Sequence, residues 1–231
     1  MKYLAFDAST EACSVALQID DKVYSRFELC PQSHSLLLLP MIDEVLKEAN
    51  ISLHQLDGLI FGQGPGSFTG VRIGIGVAQG LAFSANLSVV GVSTLQAMAQ
   101  SAYEKTAVTS VLSVIDARMS EVYNCFFKLD DKGIMKPQCP ETVLKPELLT
   151  EHYQEYGASF YAVGTGWDAY NDSLTPLKAQ DDAVETLFPS ATAMLKIGID
   201  GFEQGKAVSA ELAQPVYVRD TVSWKKLPGR E

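Results

Sequence analysis

Two aspartates close apolar strands, and each opens a turn that carries further polar groups. Asp7 is followed by Ser9 and Thr10, an acid beside two hydroxyls. Asp116 is followed by Arg118, an acid beside a cation. The two stretches share a frame. Phe6-Asp7-Ala8, Glu11 and Asp20-Asp21-Lys22 recur as Ile115-Asp116-Ala117, Glu121 and Asp130-Asp131-Lys132. The offset is 109 residues from Asp7 to Asp116 and 110 from Glu11 to Glu121, so the second turn holds one extra residue. This reads as an internal duplication of a unit made of strand, acidic turn and hairpin.

Other chemistries find less support. The loop from Gly62 to Gly70 is glycine-rich enough to cradle a phosphate, but it lacks the lysine of GxxxxGK[ST], and Arg72 is the one cation near it. Packing is the favoured role. The three histidines, His34, His54 and His152, form no i,i+4 pair and no HExxH, and the cysteines Cys13, Cys30, Cys125 and Cys139 form no CxxC. No metal site is expected, and His34, beside a helix start, reads as a capping or surface residue. Ser67 lies in GPGSFTG rather than a GxSxG elbow, so no catalytic nucleophile is assigned.

The elements that must position these groups are legible in outline. Residues 2–7, 13–19 and 23–29 alternate as an antiparallel meander. A helix capped by Ser33 or Ser35 runs to about Ala49 with Pro40 in its early part. Its core stripe is Leu38 or Leu39, Ile42, Val45, Leu46 and Ala49, leaving Leu36, Leu37 and Met41 partly off the stripe. A short strand over 59–61 leads through the glycine loop into a second helix, with Thr69 the first choice for its N-cap and Ser67 the second. Between Val71 and Phe83 only Arg72 and Gln79 are polar. A helix so apolar needs cover on more than one side. Gly70 and Gly74 share one face and Gly76 and Gly80 a roughly opposite one, beside Ile73 and Phe83. Glycine in a helix costs about 0.5–1 kcal/mol against alanine, so close backbone approach is the expected compensation. One face is read against this chain's own sheet. The other either meets a partner helix or is also internal. Surplus apolar area on two neighbouring helices favours the partner.

Further strands are read at 89–92, 108–115 and 160–163, and helices from Ser93 or Thr94 to about 104, at 146–156 and at 190–202. Residues 168–182 read as loop and 215–220 as a strand or extended edge. The chain of 231 residues, 47% hydrophobic, suffices for one large domain or two small ones. A net charge of −10 repels a polyanion, so this chain alone is a poor RNA binder. Widely spaced cysteines without a leader-like start suggest reduced thiols in the cytoplasm, and nothing suggests a membrane.

The stretch GPGSFTGVRIG, residues 64–74, resembles the signature of the TsaB (YeaZ) family. Further matches are residues 7–17, Asp116-Ala117-Arg118-Met119, Gly164-Thr165-Gly166-Trp167, Pro215-Val216-Tyr217-Val218-Arg219 and residues 224–229. The resemblance implies a mixed α/β chain with the duplicated ribonuclease-H-like fold of actin, hexokinase and the heat-shock ATPases. Its two halves would be residues 1–106 and a smaller 107–231. In that superfamily two acidic turns face each other across a cleft and hold nucleotide phosphates with a metal. The implied positions are Asp7, Ser9 and Thr10 in the first turn, Asp116 in the second and Thr165 on the adenosine side. Ala8 and Ala117 stand where active members are richer in glycine, which makes the cleft degenerate. The alternative is that both aspartates cap turns and tie the halves together.

The function implied is that of a non-catalytic activating subunit. It would serve the complex that puts threonylcarbamoyl on the adenosine next to the anticodon of tRNAs reading codons that begin with A. The implied partners are the catalytic paralogue TsaD, whose histidine-pair metal site has no counterpart here, and the ATPase TsaE. ATP or ADP would sit at or near the partner interface, tRNA would be met only through the complex, and the chain alone would form a homodimer. The interface residues read on this basis are Leu36, Leu37, Met41, Arg72, Ile73, Gly76, Gln79, Gly80 and Phe83. The competing reading is a stand-alone ATP-binding kinase-like enzyme or ATPase of the same fold.

Overall fold

A computed structural model describes residues 1–156, 160–177 and 186–219 of the chain. The first three strands, β1 (Lys2–Asp7), β2 (Ala12–Ile19) and β3 (Lys22–Leu29), form the expected antiparallel meander. Strands β4 (Gly58–Gly64) and β5 (Val89–Ser93) add in parallel on the other side of β1, giving the order β3-β2-β1-β4-β5. Period-2 alternation splits the central strand β1 between two cores. Leu4 and Phe6 of β1 face one, while Tyr3 and Ala5 face the other.

The second sheet repeats the plan. Its strands are β6 (Ser110–Asp116), β7 (Val122–Leu129), β8 (Met135–Pro137), β9 (Thr142–Leu144) and β10 (Tyr161–Val163). Strand β10 pairs in parallel with β6, and β7 is antiparallel to β6, β8 and β9. In both sheets a strand ending in aspartate turns into an antiparallel neighbour. The connection is residues 8–11 in the first sheet and 117–121 in the second. The extra residue is accommodated by three successive left-handed residues, Arg118, Met119 and Ser120, at φ 63°, 57° and 58°.

Helices α1 (His34–Glu48) and α2 (Phe68–Ala85) cover one face of the first sheet. Helix α3 (Thr94–Thr106) belongs to the second sheet's core through Leu95, Met98, Ala99 and Ala102. Three single-turn helices follow: α4 (Leu149–His152), α5 (Gly166–Ala169) and α6 (Asn171–Leu174). Helix α7 (Ala191–Glu203) then returns to the first sheet, where Ala191, Met194 and Ile197 pack with Tyr3, Ala5 and Ile60. Thus the strands divide between two sheets in chain order, but the helices do not. Helix α3 lies on the second sheet and α7 on the first, and the two helices pack together.

Several expectations are corrected. Ser67, not Thr69, caps α2, its Oγ accepting from the Gly70 N–H at 3.4 Å. Met41 is not on an outer face. It is 5% exposed in the core with Leu38, Ile42 and Val45, because α1 lies deeper than its polar face suggests. Leu39 instead points out, 49% exposed. The 146–156 segment is broken into single turns rather than one helix. Part of the stretch read as loop forms α5 and α6, because Trp167 and Leu174 anchor it in the core around Phe126 and Tyr153. The motif at 224–229 lies outside the described residues. Among the described residues no helix is long and apolar enough to cross a membrane.

Candidate functional site

Asp7 ends β1, paired across the ladder with Ser14. One carboxylate oxygen, Oδ1, accepts from Ser9 N–H and from Ser9 Oγ, each at 2.9 Å, a self-contained turn of the kind aspartate favours. The other, Oδ2, is buried and has no hydrogen-bond partner among the described residues. Burial pushes this carboxyl up from 3.8 to about 6, against the lowering pull of the two Ser9 bonds. Ser9 Oγ continues to Thr94 Oγ1 at 2.8 Å, at the start of α3.

The glycine loop is seated on this turn. A Cβ at Gly66 would stand 2.2 Å from Ser9 O, and one at Gly70 would stand 2.1 Å from Ala8 O. Ser67 N–H donates to Ser9 O at 2.7 Å. These glycines therefore serve backbone approach within the chain. The chain's own loop lies directly against the Asp7 turn. Asp7, Ser9 and Thr10 are 1%, 1% and 5% exposed. They lie beneath the glycine loop, and the turn ties the loop and α3 to the first sheet.

The second turn is more open but also satisfied from within. Asp116 Oδ1 accepts from Arg118 N–H at 2.9 Å and from the Tyr170 hydroxyl at 3.1 Å. Asp116 N–H donates to Thr165 Oγ1 at 3.4 Å. Gly164, at φ 104°, lies so close to β6 that a Cβ would stand 2.1 Å from Val114 O. Thr165 thus helps hold the 164–166 loop against the end of β6. The start of α3 links the first turn to β6, since Thr94 meets Ser9 while Leu95 O accepts from Ser113 Oγ of β6 at 2.9 Å.

The outer side of α2 presents a different surface. Gly76 and Gly80 face solvent, and a Cβ at either would meet nothing within 4 Å. Phe83 is 76% exposed, and Leu36 of α1 is 73% exposed. Leu37, Ile73 and Gln79 are half-buried. Two residues expected on this surface hold the chain's own C-terminal segment. Gln79 Nε2 donates to Ala213 O at 3.0 Å, and Arg72 Nε donates to the Tyr217 hydroxyl at 3.0 Å. The Arg72 guanidinium lies 3.5 Å over the Phe68 ring. The segment then donates from Val216 N–H to Gln63 O at 2.9 Å and reaches the second turn, where Arg219 pairs with Glu121. No periodicity argument reveals this strap, because its partners lie 98 or more residues away.

One cluster went unread in the sequence. Cys13, Cys30 and His34 are all buried, and one donor atom from each lies within 4.8 Å of the others. His34 is thus not a surface or capping residue. The available signal was Cys30 four residues before His34, with Cys13 on the strand that pairs with the one before Cys30.

Residues 27–196 match the family described as "TsaD: tRNA N6-adenosine threonylcarbamoyltransferase". The chain is 49% identical, over the whole of both chains, to an Escherichia coli K12 protein named tRNA threonylcarbamoyladenosine biosynthesis protein TsaB. It is 42% identical to the Haemophilus influenzae protein of the same name, over 99% of this chain and 98% of that one. A solved structure, YeaZ from Pseudomonas aeruginosa, superposes with a TM-score of 0.85 at 40% identity, covering 94% of this chain and 99% of that one. These likenesses, with the two repeated mixed sheets, give the duplicated ribonuclease-H-like fold.

Proposed function

Because this chain belongs to the TsaB (YeaZ) family, we propose that it serves tRNA threonylcarbamoyladenosine biosynthesis as a non-catalytic activating subunit. It acts by binding the catalytic paralogue TsaD, with the ATPase TsaE joining the assembly. The observation that carries this reading is the outer face of α2. Gly76 and Gly80, four residues apart, leave bare backbone beside exposed Phe83, so a partner helix can approach closely there. Neighbouring helix α1 also exposes apolar side chains, Leu36 and Leu39. A second copy of the chain covers this face when TsaD is absent. The net charge of −10 leaves tRNA contact to the partners.

A stand-alone ATP-using enzyme is the second reading. The burial of Asp7, Ser9 and Thr10 under the glycine loop counts against it. The deciding experiment is threonylcarbamoyladenosine formation on tRNA by purified TsaD, TsaE and the enzyme that makes the adenylate, with and without this chain. Product that depends on the chain supports the activating role. Equal product without it removes that role.

A further inference from the structure

We propose that Cys13, Cys30 and His34 form a buried site for one soft d10 cation, Zn²⁺ or Cu⁺. The local sequence builds the site. Cys13 lies at the start of β2, opposite Glu28 of β3, and Cys30 follows β3 two residues beyond Glu28. Both thiols therefore point to the same face of the hairpin as diagonal neighbours. Pro31 and Gln32 then reverse the chain, with Gln32 at φ 66° and Ser33 N–H donating to Cys30 O at 2.9 Å. Proline followed by a left-handed residue is the pattern of a type II turn. It brings His34, the first residue of α1, back over Cys30.

The imidazole is already held as a ligand would be. His34 Nε2 lies 2.6 Å from Thr10 O. A carbonyl only accepts, so Nε2 donates, and in the neutral ring that a metal requires Nδ1 is the nitrogen with the lone pair. A ring N–H anchored on a backbone carbonyl is the usual support of a metal-bound histidine. One donor atom from each residue lies within 4.8 Å of the others. A cation about 2.3 Å from sulfur and about 2.0 Å from nitrogen fits among such donors after shifts of an ångström or less. Two thiols and one imidazole select soft ions over calcium or magnesium. The residues are 0%, 4% and 8% exposed among Ala8, Val15 and Leu38, so the ion would be a structural staple. On binding, each metal–sulfur bond replaces a sulfur–hydrogen bond, and two protons leave to the buffer. The staple would join β2, the end of β3 and the first turn of α1, close to Leu36.

The test uses the full chain, stripped with chelator under reducing conditions and then titrated separately with Zn²⁺ and with Cu⁺ against a chromophoric chelator. One ion per chain is expected for at least one of the two metals. Binding should weaken at least about tenfold in Cys30→Ser and in His34→Ala, and persist in Cys139→Ser. Co²⁺ should give thiolate charge-transfer bands in the parent that fall by about half in Cys30→Ser. If Cys30→Ser is not folded by circular dichroism, His34→Ala carries the comparison, because it leaves both thiols in place. Equal binding by the parent and His34→Ala overturns the site. So does recovery of Cys13 and Cys30 as a disulfide from protein purified without reductant. Metal content is read independently of tRNA modification, so this proposal and the subunit role fail separately.

Discussion

A Cβ at Gly62 would stand 1.8 Å from Oδ2 of Asp7, the carboxylate oxygen that no donor among the described residues satisfies. The first acidic turn and the glycine loop are therefore one packed unit, joined where a side chain is missing. Gly62→Ala should lower stability by about 1–3 kcal/mol, the range for overpacking a filled core. Adding Asp7→Ala should recover part of that loss, because the clashing group is gone. Urea denaturation of the two single variants and the double variant reads the coupling. Strict additivity would mean that the two residues do not meet.

The same carboxyl sets a pH dependence. In the folded chain Asp7 titrates near 6, against 3.8 for its ordinary value. Well below pH 3.8 both states are protonated and the group costs nothing. As pH rises from 4 to 6 the unfolded chain ionises freely while the buried carboxyl resists, so stability falls. Above 6 the cost levels off, at 1.36 kcal/mol for each pH unit between the two values, or about 3 kcal/mol. Asp7→Asn should remove this component. Tm measured from pH 4 to 7 should fall more steeply in the parent than in the variant. Parallel curves would deny Asp7 the role.

Asp200 works in the opposite sense and must be separated from Asp7. Lys136 and Lys132 both donate to it at 2.9 Å and hold its carboxyl well below the usual range. Its contribution is present above pH 4 and fades as pH falls through the lowered value. The pair of contacts ties α7 to the turn and strand at β8. Asp200→Asn should therefore cost more stability at pH 7 than at pH 2–3. A loss of equal size at both pH values would point to packing rather than charge.

Gly70 and the two outer glycines of α2 should respond oppositely. Gly76→Leu and Gly80→Leu meet open space and gain helix propensity, so Tm should hold or rise. Their affinity for TsaD should nevertheless fall at least about tenfold by calorimetry. Gly70→Ala collides with Ala8 O and should destabilise the chain by about 1–3 kcal/mol. Unchanged affinity in both leucine variants would remove α2's outer face as the interface.

ATP or ADP with Mg²⁺ should leave the Tm of the isolated chain unchanged at millimolar concentration, because loop backbone occupies the place beside the Asp7 turn. A shift that Asp7→Asn abolishes would reopen the nucleotide reading.

Most of the strands, the duplicated acid-ended units and the one-residue difference between their turns were legible in the sequence. Those features rest on period-2 alternation and turn chemistry, which neighbouring residues determine together. The glycines of α2 also announced that two faces would be bare. Folding alone decided which face was which: Gly70 lies on Ala8, while Gly76 and Gly80 stay open. It also buried Met41, moved α3 to the second sheet and α7 to the first, and laid Tyr217 over Arg72. Ala191 N–H reaching Ser14 Oγ at 2.8 Å, and Cys13 meeting Cys30 and His34, belong to the same class. Such contacts join segments whose separation in the chain carries no periodic signal. They are set by which apolar faces must be covered at once, and that is a property of the whole packed molecule.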